Sequence, residues 1–346
     1  MKKYIIFFIL YLPLPLFAQN EQYKQIDQYV KNLSRKEFNN IETLAKVLCK
    51  PAQNDLEKVR AFYVWIGLNI SYDIEALRTG NFPEKAAEAA FKSNKAVCQG
   101  YSELFEALCT ANNIECKVVP GYSKGYGYRQ GKSFKNSDHA WNVVKINGKW
   151  QLVDATWGAG YMDDNDNYVN MFTEEHFLSE PERFVIKHLP VDPVWQLLKT
   201  PVPLKTFEKD SNTVKQFVLT APKGNVNYLD TLTSWENLDS LQKVFTSNLR
   251  IVRFNPENSY AWYTLGWFHI SQAQVRMSKL NNPAIQSNRS VAVPLAKEAS
   301  ELLKGSIKYL NEAEKRDPVY AQDIRQKKDG IAKNLKNLEF IIGTKQ

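Results

Sequence analysis

The chain has 346 residues, of which 44% are hydrophobic and 24% are charged, and its formal net charge is +8. This composition excludes a disordered chain and predicts globular material long enough for two domains. Acidic and basic residues are mixed along the whole sequence, and no run of Lys and Arg marks a nucleic-acid surface. The sequence therefore predicts no nucleic-acid partner.

Residues 1–18 have the features of a secretory signal peptide. Two lysines precede an apolar stretch at 4–17, and Ala18 is a suitable residue before a cleavage site. The apolar stretch is too short to span a bilayer well, and its late prolines argue against the alternative of an uncleaved anchor. We therefore expect a secreted or periplasmic protein that has no transmembrane anchor after signal cleavage.

Residues 20–70 are predicted to be helical, because apolar residues recur there at helical spacing and Asn54 is a suitable helix cap. Trp65 and Tyr72, near the end of this segment, belong either to the core or to the wall of a cleft.

Cys98 stands at the predicted start of the next helix. From Tyr101 the apolar residues follow helical spacing towards Asn112, so a helix is expected to begin just after Cys98. Free backbone N–H groups at a helix start favour the thiolate form of a cysteine and can face the oxyanion that forms when a thiolate attacks a carbonyl. Gly100 is expected to leave room close to the sulfur. The pattern therefore predicts a thiol nucleophile at Cys98.

The other cysteines are Cys49, Cys109 and Cys116. In an exported protein an even number of cysteines is compatible with disulfides, and if Cys98 stays a free thiol only one pair can form among the other three. Cys109 and Cys116 are nearest in sequence, and the alternative is that they remain buried free thiols. No CxxC motif occurs, so no metal site is predicted.

A short strand at 116–120 is followed by a Gly- and Tyr-rich loop at 121–137. Loops of this length in a compact domain are usually functional or mobile. Because this loop leads directly to His139, we expect it to form a wall or lid of a cleft, and the alternative is a disordered connector.

A β-hairpin is predicted between residues 140 and 153, because the sequence alternates there and Asn147-Gly148 favours a two-residue type I′ turn. If Ile146 opposes Lys149, then His139, Asp154 and Thr156 share one face, with His139 opposite Thr156. His139 and Asp154 then become diagonal neighbours. A carboxylate in that position fixes the tautomer of an imidazole and stabilises the imidazolium.

Each of these residues also has an ordinary structural role. A Cys at a helix start is usually a small buried apolar residue, a His on a strand is usually a satisfied polar residue, and an Asp in a hairpin is often a turn former. Their combination favours a Cys98–His139–Asp154 triad for acyl transfer that needs no cofactor or metal.

Four segments carry a resemblance to a known family: VCQGYSELFEALC, HAWNVVKINGKWQLVDATWGAGY, the upstream YVWIGLNISYD and the downstream HFLSEPERFVIKHLPVDPVWQLL. Together they resemble the transglutaminase-like superfamily over residues 40–200, and the nearest branch includes kyphoscoliosis peptidase. The resemblance implies an α+β, papain-like fold with an antiparallel sheet. It also implies that Cys98 is the nucleophile, His139 the general base and Asp154 the residue that orients His139, acting on a protein or peptide substrate.

His176 and His188 lie beyond the hairpin and lack the strand context of His139. We interpret both as structural or surface residues.

The predicted domains are a catalytic domain at 19–200, with its core at 55–160, and a helical domain at 236–346. Between them, residues 201–235 carry Pro, Thr and Lys with little periodicity, which predicts a linker or a few edge strands.

The helical domain begins with a tetratricopeptide-like pattern. Trp262, Leu265 and Gly266 supply the W-x-x-L-G core of a repeat's first helix, and Pro256 ends the helix before it. The next matching proline, Pro318, is 62 residues further on, whereas about 34 are expected in such a repeat. We therefore predict an irregular tetratricopeptide-like array with an insertion at 277–294, and the alternative is a plain helical bundle.

Three classes of function remain open. The first is an exported thiol enzyme that acts on amides, by hydrolysis or by passing the acyl group to an amine. The second is a catalytically silent binding module in which the helical domain holds a protein partner. The third is a structural protein of the cell envelope. The filled triad favours the enzyme.

Overall fold

The computed structural model describes residues 23–222 and 228–343, so the predicted signal peptide lies outside the described residues. The chain divides into two compact units. The first contains Met1–Val118 and Ala140–Glu180, and the second contains Val119–His139 and Pro181–Gln346. The domain boundaries at residues 200 and 235 stay predictions.

The described chain is mostly helical with short strands. In chain order the elements are α1 (Lys24–Lys31), α2 (Ile41–Leu48), α3 (Asp55–Asn69), β1 (Ser71–Tyr72), α4 (Ile74–Thr79), α5 (Ala86–Ser93), β2 (Lys95–Ala96), α6 (Cys98–Thr110), β3 (Cys116–Ser123), β4 (His139–Ile146), β5 (Lys149–Val153), α7 (Ala155–Ala159), β6 (Gly160–Met162), β7 (Tyr168–Asn170), α8 (Pro181–Phe184), β8 (His188–Pro190), α9 (Leu204–Phe207), α10 (Ser211–Thr220), α11 (Tyr228–Glu236), α12 (Ser240–Phe254), α13 (Ser259–Leu280), α14 (Pro283–Gln286), α15 (Arg289–Arg316) and α16 (Ala321–Gly343). This confirms the predicted α+β class with a helical C-terminal region.

Helix α3 is central to the core of the first unit. Asn54 caps it by accepting a hydrogen bond from the Glu57 N–H at 3.0 Å, as predicted. Residues 59–67 are all buried, and a helix that is buried on every side lies inside a core rather than on its surface. Trp65 is one of these residues and packs edge-on against Phe38, with ring centroids 5.8 Å apart. Trp65 is therefore a core residue.

Arg60, on the same helix, is a buried charge with two acidic partners. Its side chain is 1% exposed. It donates to Asp27 at 2.6 and 2.8 Å and to Glu174, with the bond from Nη2 to Oε1 measuring 2.6 Å. A buried guanidinium needs such partners because an unpaired buried charge is very costly.

Helix α6 begins at Cys98, within a residue of the predicted start, and ends at Thr110. Gly100 faces α5 and β2, because a Cβ there would lie 2.8 Å from the Ala96 Cβ and 3.4 Å from the Ala86 carbonyl oxygen. The absence of a side chain at Gly100 therefore allows α6 to pack closely against α5 and β2.

The β4–β5 hairpin has the predicted register. Its ladder runs from Ile146 opposite Lys149 to Asn142 opposite Val153. The two turn residues, Asn147 and Gly148, have φ values of 51° and 75°, as a type I′ turn requires.

The expected position of Thr156 is wrong. Strand β5 ends at Val153, and Thr156 lies in helix α7 rather than opposite His139. Asp154 ends the strand because its side chain accepts hydrogen bonds from the N–H groups of Thr156 and Trp157, at 2.9 and 3.1 Å. Such N-cap bonds compete with the ladder of a strand and start a helix.

In the second unit, β3 pairs antiparallel with β8, and the loop after β3 is held in place. The hydroxyl of Tyr128 donates to the Lys209 carbonyl at 2.6 Å, and the Phe134 N–H donates to the Glu208 carboxylate at 3.0 Å. Phe134 is 2% exposed and packs with Phe207, with ring centroids 5.5 Å apart. The loop is therefore anchored, and the alternative of a disordered connector is wrong.

The described part of residues 201–235 contains α9, α10 and α11, so the expectation of edge strands is wrong for that part. Short helices replace them, and the Asp210 side chain caps one of these, α10, by accepting from the Thr213 N–H at 2.8 Å. Helices of this length are too short to show a clear helical periodicity in the sequence.

The helical region is dominated by the long helices α13 and α15. Gly266 lets them approach closely, because a Cβ at this position would lie 2.7 Å from a methyl group of Leu310. The predicted insertion at 277–294 is mostly helical: α13 continues to Leu280, and α15 begins at Arg289 and contains Pro294. Across residues 23–222 and 228–343, no helix has the length and apolar character needed to cross a membrane.

Candidate functional site

Cys98 is the first residue of a 13-residue helix and is partly exposed. The first N–H groups of a helix have no acceptor within the helix, and they carry the positive end of its dipole. The Val97 side chain makes no capping hydrogen bond to them. A thiolate, or an oxyanion formed beside it, would be stabilised at this position.

Asp154 lies in the same unit and is fully buried. Both backbone N–H groups that it caps donate to Oδ1. Its own N–H donates to the His176 carbonyl at 3.0 Å, which fixes the backbone at the start of α7. The sequence therefore places a buried carboxylate here and fixes its orientation by helix capping.

The Tyr72 side chain lies close enough to Cys98 and Asp154 for their charges to affect its pKa. Burial raises the pKa of Tyr72, and the charges of Cys98 and then Asp154 add to that rise. The Tyr72 phenol therefore lies near both groups. Sequence reasoning left Tyr72 unassigned between core and cleft, and the structure places it, half-buried, at the candidate site of the first unit.

His139 belongs to the second unit and opens strand β4, with 8% of its surface exposed. Two hydrogen bonds fix the preceding residue, Asp138. Its backbone N–H donates to the Gly121 carbonyl at 3.0 Å, and its side-chain carboxylate accepts from the Ser123 N–H at 2.8 Å. This closes the base of the loop and sets the backbone where His139 begins.

His188 is the neighbour of His139 that sequence reasoning missed. It is 2% exposed, so it is not a surface residue. Its ring stacks on Phe184 at 4.0 Å, and its centroid lies 5.6 Å from that of His139. One ring nitrogen of His139 and one of His188 lie within 4.8 Å of each other. The three-residue strand that carries His188 is too short to show a period, so no sequence pattern indicated this contact.

All four cysteines are free thiols. Burial raises the pKa of Cys49 to about 11, and Cys109 and Cys116 are buried. Cys98 is the cysteine placed at a helix start.

A family model described as the transglutaminase-like superfamily matches residues 42–155, which include Cys98, His139 and Asp154. Residues 42–155 belong to the transglutaminase-like superfamily. This confirms the family that the sequence motifs indicated.

Two curated relatives of this transglutaminase-like domain are kyphoscoliosis peptidases. The Homo sapiens protein is 37% identical over 199 residues, which is 57% of this chain and 30% of that protein. The Mus musculus protein is 39% identical over 179 residues, which is 51% of this chain and 27% of that protein. These matches confirm the predicted branch. The chain spans less than a third of the length of these relatives.

A solved structure of a TGase is 19% identical to this chain, covers 49% of it and 40% of the other chain, and has a TM-score of 0.26.

Proposed function

We propose that this protein is an exported thiol enzyme that transfers acyl groups at amide bonds through a Cys98–His139–Asp154 triad. The observation that carries the proposal lies in the transglutaminase-like domain. There, a thiol at a helix start and a buried carboxylate that caps the next helix both lie near the phenol of Tyr72 and add to the burial that raises its pKa. A thiol and a carboxylate at one site are two of the three groups that such chemistry needs.

In the first half of the reaction, the Cys98 thiolate attacks the amide carbonyl carbon and forms a carbon–sulfur bond. The N–H groups at the start of α6 stabilise the oxyanion of the tetrahedral intermediate. The carbon–nitrogen bond then breaks, and the departing amine takes the proton held by the His139 imidazolium. A thioester on Cys98 remains.

In the second half, His139 removes a proton from water or from a primary amine, which attacks the thioester. The carbon–sulfur bond breaks and the Cys98 thiolate returns. Water yields a carboxylic acid, and an amine yields a new amide. We assign to Asp154 the role of accepting the Nδ1–H of His139, which keeps Nε2 available to the sulfur.

Proteins or peptides are the proposed substrates, in line with the name of the kyphoscoliosis peptidase relatives. The C-terminal helical region is the proposed binding surface for a protein partner, because packed helical pairs present extended surfaces. Export is proposed from residues 1–18. It is checked by expression of the full chain in a bacterium with an outer membrane, followed by fractionation and N-terminal sequencing. Recovery in the cytoplasm with Met1 intact would refute export.

The decisive experiment for the chemistry is thiol labelling combined with product analysis. The full chain is treated with iodoacetamide at pH 6, 7 and 8, and the modified cysteines are mapped. We expect Cys98 to react first. Cys49 is the matched control, because it is also partly exposed but its pKa is raised to about 11 by burial.

The same preparation is then incubated with casein, with and without a fluorescent primary amine. Peptide fragments would indicate hydrolysis, and incorporated fluorescence would indicate transamidation. Both should disappear in Cys98→Ala and persist in Cys49→Ala. A folded wild-type protein whose Cys98 reacts no faster than Cys49, and which gives neither product, would contradict the enzyme and favour the silent binding module.

A further inference from the structure

Three cysteines lie outside the candidate site, in the core of the first unit. Cys109 and Cys116 belong to its main hydrophobic cluster, and Cys49 packs against that cluster from a partly exposed position. Cys109 is fully buried and Cys116 is 9% exposed. Neither has a part in the proposed reaction.

The chain path brings Cys109 and Cys116 together. Cys109 lies in the last turn of α6, and Cys116 is the first residue of β3. Between them the chain turns back sharply: Asn113 has a φ of 57°, and the Ile114 N–H donates to the Cys109 carbonyl at 3.0 Å. The side chains of the two cysteines interact directly.

Asn142 holds Cys116 on the side that faces α6. Its amide nitrogen donates to the Ser102 carbonyl on α6 at 3.0 Å and lies 3.6 Å from the Cys116 sulfur. The Asn142 side chain is fully buried, so this arrangement is part of the core. Asn142 therefore fixes the Cys116 sulfur beside α6, the helix that also carries Cys109.

Burial, followed by the contact with Cys116, raises the pKa of the Cys109 thiol well above its ordinary value. Thiol–disulfide exchange proceeds through the thiolate. In the folded protein Cys109 therefore exchanges slowly, and we expect the redox state of the two cysteines to be set while the chain folds.

We propose that Cys109 and Cys116 form a disulfide when the chain folds in the presence of a disulfide oxidant, and that Cys98 stays a free thiol. One of the two thiolates attacks the oxidant's disulfide and forms a mixed disulfide. The second cysteine then displaces the oxidant's sulfur. The protein loses two protons and two electrons, and the oxidant is reduced to its thiol form. The new bond closes the turn at 110–115 and ties the end of the Cys98 helix to β3.

The experiment compares the full chain refolded in glutathione with glutathione disulfide and the full chain refolded in dithiothreitol. Free thiols are blocked with iodoacetamide, and the protein is digested with trypsin and a glutamate-specific protease. The sequence suits this digest, because cleavage after Glu103, Glu106, Glu115 and Lys117 separates all three nearby cysteines. Cys98 falls in 96–103, Cys109 in 107–115 and Cys116 in 116–117.

After oxidative refolding we expect peptide 107–115 linked to 116–117, with Cys98 and Cys49 alkylated. Cys49→Ala should give the same linked peptide. The oxidised wild type should also unfold about 5 °C above the reduced protein, since closing a short loop stabilises modestly. This difference should vanish in Cys116→Ala.

Alkylation of both Cys109 and Cys116 after oxidative refolding, or links from either to Cys98 or Cys49, would overturn the proposal. The peptide map of the wild type decides the question even if a variant fails to fold. It does not depend on activity, so the disulfide and the proposed function can fail separately.

Discussion

Replacement of Lys124 by Met should stabilise the protein at neutral pH. Lys124 is 8% exposed, and among the described residues its Nζ has no hydrogen-bond partner. The ammonium faces the rings of Phe207, at 4.6 Å, and Tyr128, at 5.6 Å. Burial lowers the pKa of Lys124 to about 8, and the charge of Asp210 offsets only part of that effect.

The magnitude follows from the difference between this pKa and the ordinary value of 10.5. One pKa unit corresponds to about 1.4 kcal/mol, so the buried charged form carries a penalty of at most about 3.5 kcal/mol. Cation–π contacts of the ammonium with the Phe207 and Tyr128 rings offset part of this penalty. We expect Lys124→Met, which is similar in shape, to raise the free energy of unfolding by about 1 to 3 kcal/mol at pH 7.

The pH dependence tests the cause. Below pH 8 both the folded and the unfolded chains hold the proton, and the folded protein bears the whole penalty. Between pH 8 and 10.5 the folded protein releases the proton before the unfolded chain does, so the penalty disappears. The advantage of Lys124→Met should therefore be full at pH 7 and should shrink from pH 8 to pH 10.

The assay is urea denaturation followed by tryptophan fluorescence at pH 7, 8, 9 and 10. Lys135→Met is the matched control, because Lys135 is an exposed lysine on the same loop, and it should change the stability little at any pH. A Lys124→Met protein that is less stable than the wild type at pH 7, or whose advantage does not decline by pH 10, would refute the reasoning.

Three other substitutions test packing and charge. Arg60→Met removes the hydrogen bonds to Asp27, which is 19% exposed, and to Glu174, which is 44% exposed, and should cost about 1–3 kcal/mol in urea denaturation, because water can reach the carboxylates that remain; an unchanged stability would contradict this reasoning. Gly158→Ala places a Cβ 2.2 Å from the Tyr63 hydroxyl and should lower the melting temperature, and an unchanged value would show that the contact relaxes. Gly148→Val forces a β-branched residue into a φ of 75° and should destabilise the hairpin by about 1–3 kcal/mol, measured by urea denaturation.

Local signals in the sequence predicted much of the first unit. Asn147-Gly148 specifies a turn with two positive φ values, and that turn set the hairpin register. The apolar period after Cys98 located the helix start. In both cases a few neighbouring residues determine the local structure, so the sequence pattern is sufficient to predict it.

Other features could not be predicted from a local pattern, because they depend on a helix cap that competes with a strand or on contacts between residues far apart in the sequence. Asp154 was treated as a strand residue, because the alternating pattern does not reveal that its side chain caps a helix. The contact of His188 with His139 joins positions 49 residues apart in the chain. The spacing of 62 residues between Pro256 and Pro318 predicts an insertion at 277–294, whereas most of that range is helical and α15 contains Pro294. The triad as a whole stays a prediction, since its members come from two units.

The order of the two units along the chain has a consequence for synthesis. Residues 119–139 belong to the second unit, but they emerge from the ribosome before 140–180, which complete the first. Phe134 packs with Phe207, so its partner is made more than 70 residues later. Until then Phe134 and its neighbours are exposed apolar surface on a nascent chain. When residues 140–180 complete the first unit, 119–139 still lack partners such as Phe207, and a chaperone that shields 119–139 during translation should raise the folding yield.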